Sequence, residues 1–189
     1  MKVYHGNVKG NVLLGLINYI KTKANHKSVE KLFRLYNERV PKKEHLQLDN
    51  ISEYGWYPYT LFVRFIEITQ KHIFPNDKNF PYHLGLHYTR LIGEYRVILK
   101  YATPGLVLKN TPKMWYRFFD SGIIQLEILE PGHARFVLFD YDPHPLICPV
   151  IVGFAEGTLK LTRCKNLNVR KVGCLLKGNK YCEFDVTWE

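Results

Sequence analysis

The chain has 189 residues, 46% of them hydrophobic, and a formal net charge of +10. Such a length and composition describe one folded domain with a substantial core and exclude a disordered chain, and no apolar run reaches the roughly 20 residues that a membrane span needs. With no apolar leader in "MKVYHGNVKGNV", the expectation is a soluble, cytoplasmic protein.

Charge is unevenly placed: residues 1–100 hold 16 Lys and Arg against 8 Asp and Glu, whereas residues 101–189 hold 11 against 9. A basic front half attracts polyanions, whether nucleic acid, anionic lipid or an acidic protein. No run is long enough to make a basic arm, so a solvated face is the plainer reading. Nucleic acid is not the expected partner, because most of the aromatics that could stack on bases fall at buried helix positions.

In chain order, Val12, Leu13, Leu16, Ile17 and Ile20 recur at three- and four-residue steps and predict a helix from about 8 to 24. Ser28 is the expected N-cap of a second helix, which carries Leu32, Phe33, Leu35 and Tyr36 and stops at Pro41. A polar linker leads to a third, from Pro58 to Ile73, with Leu61, Phe62, Phe65, Ile66 and Thr69 on its inner face. A fourth is expected from about Pro81 to Tyr101, carrying Leu84, Tyr88, Leu91, Ile92, Tyr95 and Leu99. Pro104 and Pro112 then break the pattern into short helices ending in "MWYRFFD".

After Gly122 the apolar period changes to 2, and two strands, containing "IIQLEI" and "ARFVLFD", are joined by the turn "EPGH". "PLICPVIVGFAEGTLKLT" reads as a buried helix whose Gly153 and Gly157 permit close packing, and two last strands, about 167–175 and 181–188, flank "KGN". The fold class is α+β: a single domain over 1–189, mainly helical over 1–120, with an antiparallel sheet and a buried helix over 121–189.

Signatures of catalysis are missing. There is no Gly-rich phosphate loop, Gly-x-Ser-x-Gly elbow or dinucleotide fingerprint, and no nucleophile, base and orienter assemble from the chain, so no enzymatic activity is expected. "HLGLH" sets His83 and His87 one helical turn apart, a chelating spacing, but Leu84 stands where a zinc protease needs its glutamate. No Cys-x-x-Cys-His haem attachment site is present either.

The four cysteines, in a chain with no secretion signal, argue against a disulfide framework. Cys174 and Cys182 straddle Gly178, so a regular hairpin sets them as a cross-strand pair, and Cys148 from the helix start adds a third sulfur. Three thiolates make three corners of a tetrahedral zinc site, although the spacing is not that of a zinc finger. On the residues alone, zinc, reduced buried thiols and a Cys174–Cys182 disulfide all stay open, and Cys164 packs outside the group.

The stretch "CPVIVGFAEGTLKLTRCKNLNVRKVGCLLKGNKYCEFDVTW" resembles the 4-vinyl-reductase-type domain of bacteriochlorophyll-biosynthesis proteins and aromatic-responsive activators, whose fold is similar to TRAPP vesicle-tethering subunits and distantly to haem-nitric-oxide-binding domains. The front half, with "GWYPYTLFVRFIEI" and "LKYATPGLVLKN", also resembles a bacterial family abundant in myxobacteria, which brings no function with it. The first resemblance implies a structural zinc on Cys148, Cys174 and Cys182; the acidic fourth ligand of the relatives is Lys171 here, leaving His144 or water to complete the shell. It further implies a homodimer formed through the helical front and a buried cavity between sheet and helices for a small apolar or aromatic molecule. Trp56, Tyr88, Trp115 and Phe118 are candidates for its wall. The expected function is therefore a non-enzymatic ligand-binding or sensing module, with a haem or tetrapyrrole binder and a TRAPP-like protein–protein adaptor as alternatives.

Overall fold

The computed structural model describes residues 2–93 and 95–189. In the front half, β1 (Asn7–Lys9) runs into α1 (Gly10–Lys23), α2 (His26–Asn37) follows, and β2 (Trp56–Pro58) pairs antiparallel with β1 before leading into α3 (Tyr59–His72). The apolar stripe expected of α1 is buried, as are Leu61, Phe62, Phe65 and Ile66 of α3. The second helix starts earlier than expected, because Asn25 and not Ser28 is its N-cap: the Asn25 side chain accepts a hydrogen bond from the Ser28 backbone N–H at 3.0 Å, the role a cap plays toward the third residue of a helix. The small β1–β2 sheet has no counterpart in the sequence reading, since strands of three residues are too short to display a period.

The long fourth helix is in fact broken. It comprises α4 (Phe80–Tyr88), a tight 3-10 turn over Thr89–Ile92, and α5 (Tyr95–Leu99). Gly93 lies between them at φ 56°, a left-handed position that interrupts the helical path at the residue type that tolerates it. Tyr88 and Ile92 are buried as expected, while the burial expected of Leu91 and Tyr95 lies outside the described residues. Two short helices, α6 (Pro104–Lys109) and α7 (Thr111–Phe118), each carry a proline in the first turn.

The back half holds β3 (Ile123–Glu130), β4 (His133–Phe139), α8 (Ile147–Leu159), β5 (Asn168–Gly173) and β6 (Cys182–Thr187). Its strands form an antiparallel sheet in the order β3-β4-β6-β5. On one face Phe136 is paired in register with Phe184, and their rings stack with centroids 4.7 Å apart.

Helix α8 joins the two halves. Gly85 of α4 and Gly153 of α8 bring the helix backbones so close that a Cβ on either would run into a carbonyl of the other helix, that of Val150 or of Tyr82. Substitution there has nowhere to go, because the obstructing atoms are backbone. Ile147 and Val150 of α8 belong to the apolar core of the front helices, whereas Cys148 and Leu159 belong to a second core under the sheet. The chain therefore has two cores with one helix between them. Among the described residues no helix is long and apolar enough to cross a membrane.

Candidate ligand cavity and thiol cluster

Where the two cores meet there is a cavity of about 110 Å³. Val12, Phe62 and Tyr88 line it from the front helices, Val107, Leu108, Met114, Trp115 and Phe118 from α6 and α7, and Ile124 and Phe136 from the sheet. Thr111 and Phe119 also line it, and the rest of the wall is one stripe of α8, Ile147, Val150, Ile151, Phe154, Ala155, Thr158 and Leu159, at the three- and four-residue steps of a single helix face. Three of the four aromatic residues expected at a ligand wall, Tyr88, Trp115 and Phe118, are thus together. Trp56 is not among them: it sits on β2, 43% exposed, with the Lys9 ammonium 4.2 Å from the centre of its ring. Its strand is at the outer edge of the front half, which a linker residue gives no hint of.

The wall presents almost nothing polar. The Tyr88 hydroxyl donates to the Val12 carbonyl at 2.9 Å, and burial holds the phenol well above its ordinary pKa, so the residue offers the cavity a neutral ring. The Trp115 indole N–H donates to the Ser121 carbonyl at 2.8 Å, and its ring stacks on Phe119. Thr158 departs from this pattern: its Oγ1 is buried and has no hydrogen-bond partner, a condition that natural structures rarely leave unexplained. The α8 stripe was the part of the wall that sequence reasoning missed. Its signal was present in the spacing of Ile147, Ile151, Phe154 and Thr158, but a buried helix offers equally apolar faces to both sides.

The three expected cysteines do converge. Cys148, Cys174 and Cys182 are buried with their sulfurs all within 4.8 Å of one another, and the Tyr141 hydroxyl donates to Cys182 Sγ at 3.1 Å. Burial, followed by the nearby Cys182, pushes the Cys148 thiol up to about 12. Cys174 moves the other way: burial raises it, but the Leu176 backbone hydrogen bond and the Lys171 charge outweigh that and leave it below the ordinary thiol value. All four cysteines are free thiols.

Donors for a closed metal shell do not assemble around the trio. His144, expected along with water as a way to complete the shell, is turned to Glu67, with Nε2 and Oε1 3.1 Å apart, and Lys171 contributes a positive charge beside Cys148 and Cys174. A structural zinc site is four-coordinate with its ligands supplied by the protein. His83 and His87 likewise have separate partners, Asp77 at 3.0 Å and Asn18 at 3.1 Å, and do not act as a chelating pair.

No protein-family model matches the chain, and no curated protein does. Among solved structures it is similar to an H-NOX (haem–nitric oxide binding) protein from S. oneidensis in the Fe(II)NO ligation state, with a TM-score of 0.67 at 10% identity over 96% of this chain and 99% of that one. A Shewanella oneidensis H-NOX domain in the Fe(II)CO state gives 0.69 at 12% identity, over 96% and 98% of the two chains. The Fe(II) unliganded H-NOX protein from K. algicida gives 0.67 at 10% identity over 96% of each.

At such identities the likeness is one of fold, and it spans the whole chain. It corrects two expectations. The 4-vinyl-reductase and TRAPP assignment is not supported; of the folds that resemblance brought with it, the distant one, haem-nitric-oxide-binding, is the fold found. The structural zinc came from that resemblance too, and it is withdrawn: the solved neighbours are described with iron, and His144 is bonded to Glu67 here. The TRAPP-like adaptor falls with the same resemblance, which was also the sole basis for the homodimer.

Proposed function

We propose that the chain is a non-enzymatic sensory domain built on the H-NOX fold, and that its ligand is a small apolar molecule bound directly in the cavity between the two cores. The observation that carries this reading is the cavity: about 110 Å³, with a wall that is apolar nearly throughout. An apolar void of about 150 Å³ takes up benzene or xenon and stays free of water. A void of this size suits a ligand no larger than one aromatic ring, or an apolar gas. Thr158 Oγ1 could give such a ligand its one hydrogen bond. Because residues of both cores line the cavity, filling it acts on how the halves pack against each other, and that difference in packing is what a partner could read.

Haem binding is the second reading, favoured by the fold that the chain shares with proteins described in Fe(II), Fe(II)NO and Fe(II)CO states. The residues here do not fit that group. Among the described residues no histidine or cysteine lines the cavity to hold an iron, Met114 is the one soft donor, and no Lys or Arg is in the wall to meet propionates. A tetrapyrrole is also several times larger than the space.

Two titrations separate the readings. Benzene added to saturation is expected to raise the melting temperature, since a ligand bound only to the folded state stabilises it, and xenon is expected to compete with it. Haemin is expected to give no Soret band above that of free haemin. A sharp Soret band lost on replacing a single histidine would establish the second reading, and no response to benzene or xenon would overturn the first.

A further inference from the structure

A second concavity shares no lining residue with the apolar cavity. It is a cleft of about 730 Å³ between the C-terminal end of α1 and α4, within the 300–1,000 Å³ range of small-molecule sites. Its lining includes the apolar or aromatic Phe74, Leu86 and Tyr19 and three cations, Lys23, Arg90 and Arg96. Among the described residues none of the three is in an ion pair. Among the described residues the carboxylate in the cleft is that of Asp77, with His83 Nδ1 3.0 Å from it.

We infer that this cleft binds a phosphorylated small molecule of nucleotide size, its phosphates held by Lys23, Arg90 and Arg96 and its ring system lying against Phe74 and Leu86. Several cations gathered in a recess raise the local concentration of anions, and the guanidinium fork matches phosphate oxygens in pairs. A neutral ligand would leave that charge uncompensated, and a carboxylate would match it less fully than a polyphosphate. His87 reports the same field: its Nε2 is bonded to Asn18, its ring meets Tyr19 edge to face, and burial, then Arg90 and Lys23, lower its pKa to about 4.

The test is calorimetric titration of the intact chain with ATP, pyrophosphate and adenosine. ATP and pyrophosphate are expected to bind and adenosine not to. Lys23→Gln combined with Arg90→Gln should weaken ATP by at least about tenfold with no change in melting temperature, as both side chains are exposed. Lys42→Gln combined with Lys43→Gln, which removes as much charge away from the cleft, should leave it unchanged. Pyrophosphate should also raise the His87 imidazole pKa in an NMR titration. Absence of binding, adenosine binding as tightly as ATP, or equal weakening by the Lys42/Lys43 control would each overturn the inference. Benzene binding in the other cavity bears on none of these outcomes.

Discussion

The interior of the front helices is closed by rings that meet edge to face, whereas the seam between those helices and the sheet is left open. Phe65 takes the edges of both Phe33 and Tyr36, at 5.5 and 5.1 Å, and Phe74 and Phe80 stack beside Tyr19. At the seam the aromatic supply is no smaller, with Phe62, Trp115, Phe118, Phe136 and Phe154 all present. The same wall also holds smaller residues, Ala155, Val150 and Ile124. Aromatic content alone does not decide whether a cavity forms. What decides it is whether large side chains on one element face large ones on the next.

The largest effect that separates the two regions is expected from Phe65→Ala. Phe65 is fully buried in the filled core, and its loss should cost about 3–5 kcal/mol in urea unfolding. Phe118→Ala, which enlarges a void already present, should cost clearly less; equal losses would mean that the seam is packed as tightly as the core.

Asp185 on β6 comes next. Its carboxylate is held by His133 Nε2 at 2.7 Å and by Arg170 at 3.2 Å, and the His133 bond, then Arg170, keep it below the ordinary carboxylate range. A depressed carboxyl adds stability that is fully present above its unfolded pKa and is lost as pH falls through the folded one. Asp185→Asn should therefore cost about 1–2 kcal/mol at neutral pH, and the variant should lose less stability on acidification than the parent, as followed by circular dichroism melts.

Ala155→Leu fills the seam from α8. It is expected to change stability by about 1 kcal/mol or less, in the direction of a gain if the added atoms fit the void, and to abolish the benzene-induced rise in melting temperature. Retention of that rise would place the ligand elsewhere. The smallest effect belongs to Trp56→Ala: an exposed ring under Lys9 is worth about 0.5 kcal/mol, and the benzene response should be untouched.

Elements with a long, one-sided apolar period were legible in the chain. The buried faces of α1 and α3, the β3–β4 hairpin around Gly132 and the placement of α8 all follow from spacing and turn residues, because those signals are local. The break at Gly93 was not, since the apolar residues continue in helical steps across a glycine whose φ only the folded chain sets. The gathering of Cys148, Cys174 and Cys182 was foreseen, while their neighbours were not: that His144 turns to Glu67 is decided by α3, 77 residues away along the chain.

By itself, then, the sequence determined an α+β chain with a helical front, an antiparallel back and a buried helix between them, through periods and punctuation that act within one element. Tertiary structure alone decided where the space lies. The cavity lies where one face of α8 meets residues of the front helices, α6, α7 and the sheet. The cationic cleft exists because Lys23 and Arg90, far apart in sequence, line the same concavity. Volume and charge at a site belong to several elements at once, and no spacing within one of them records the sum.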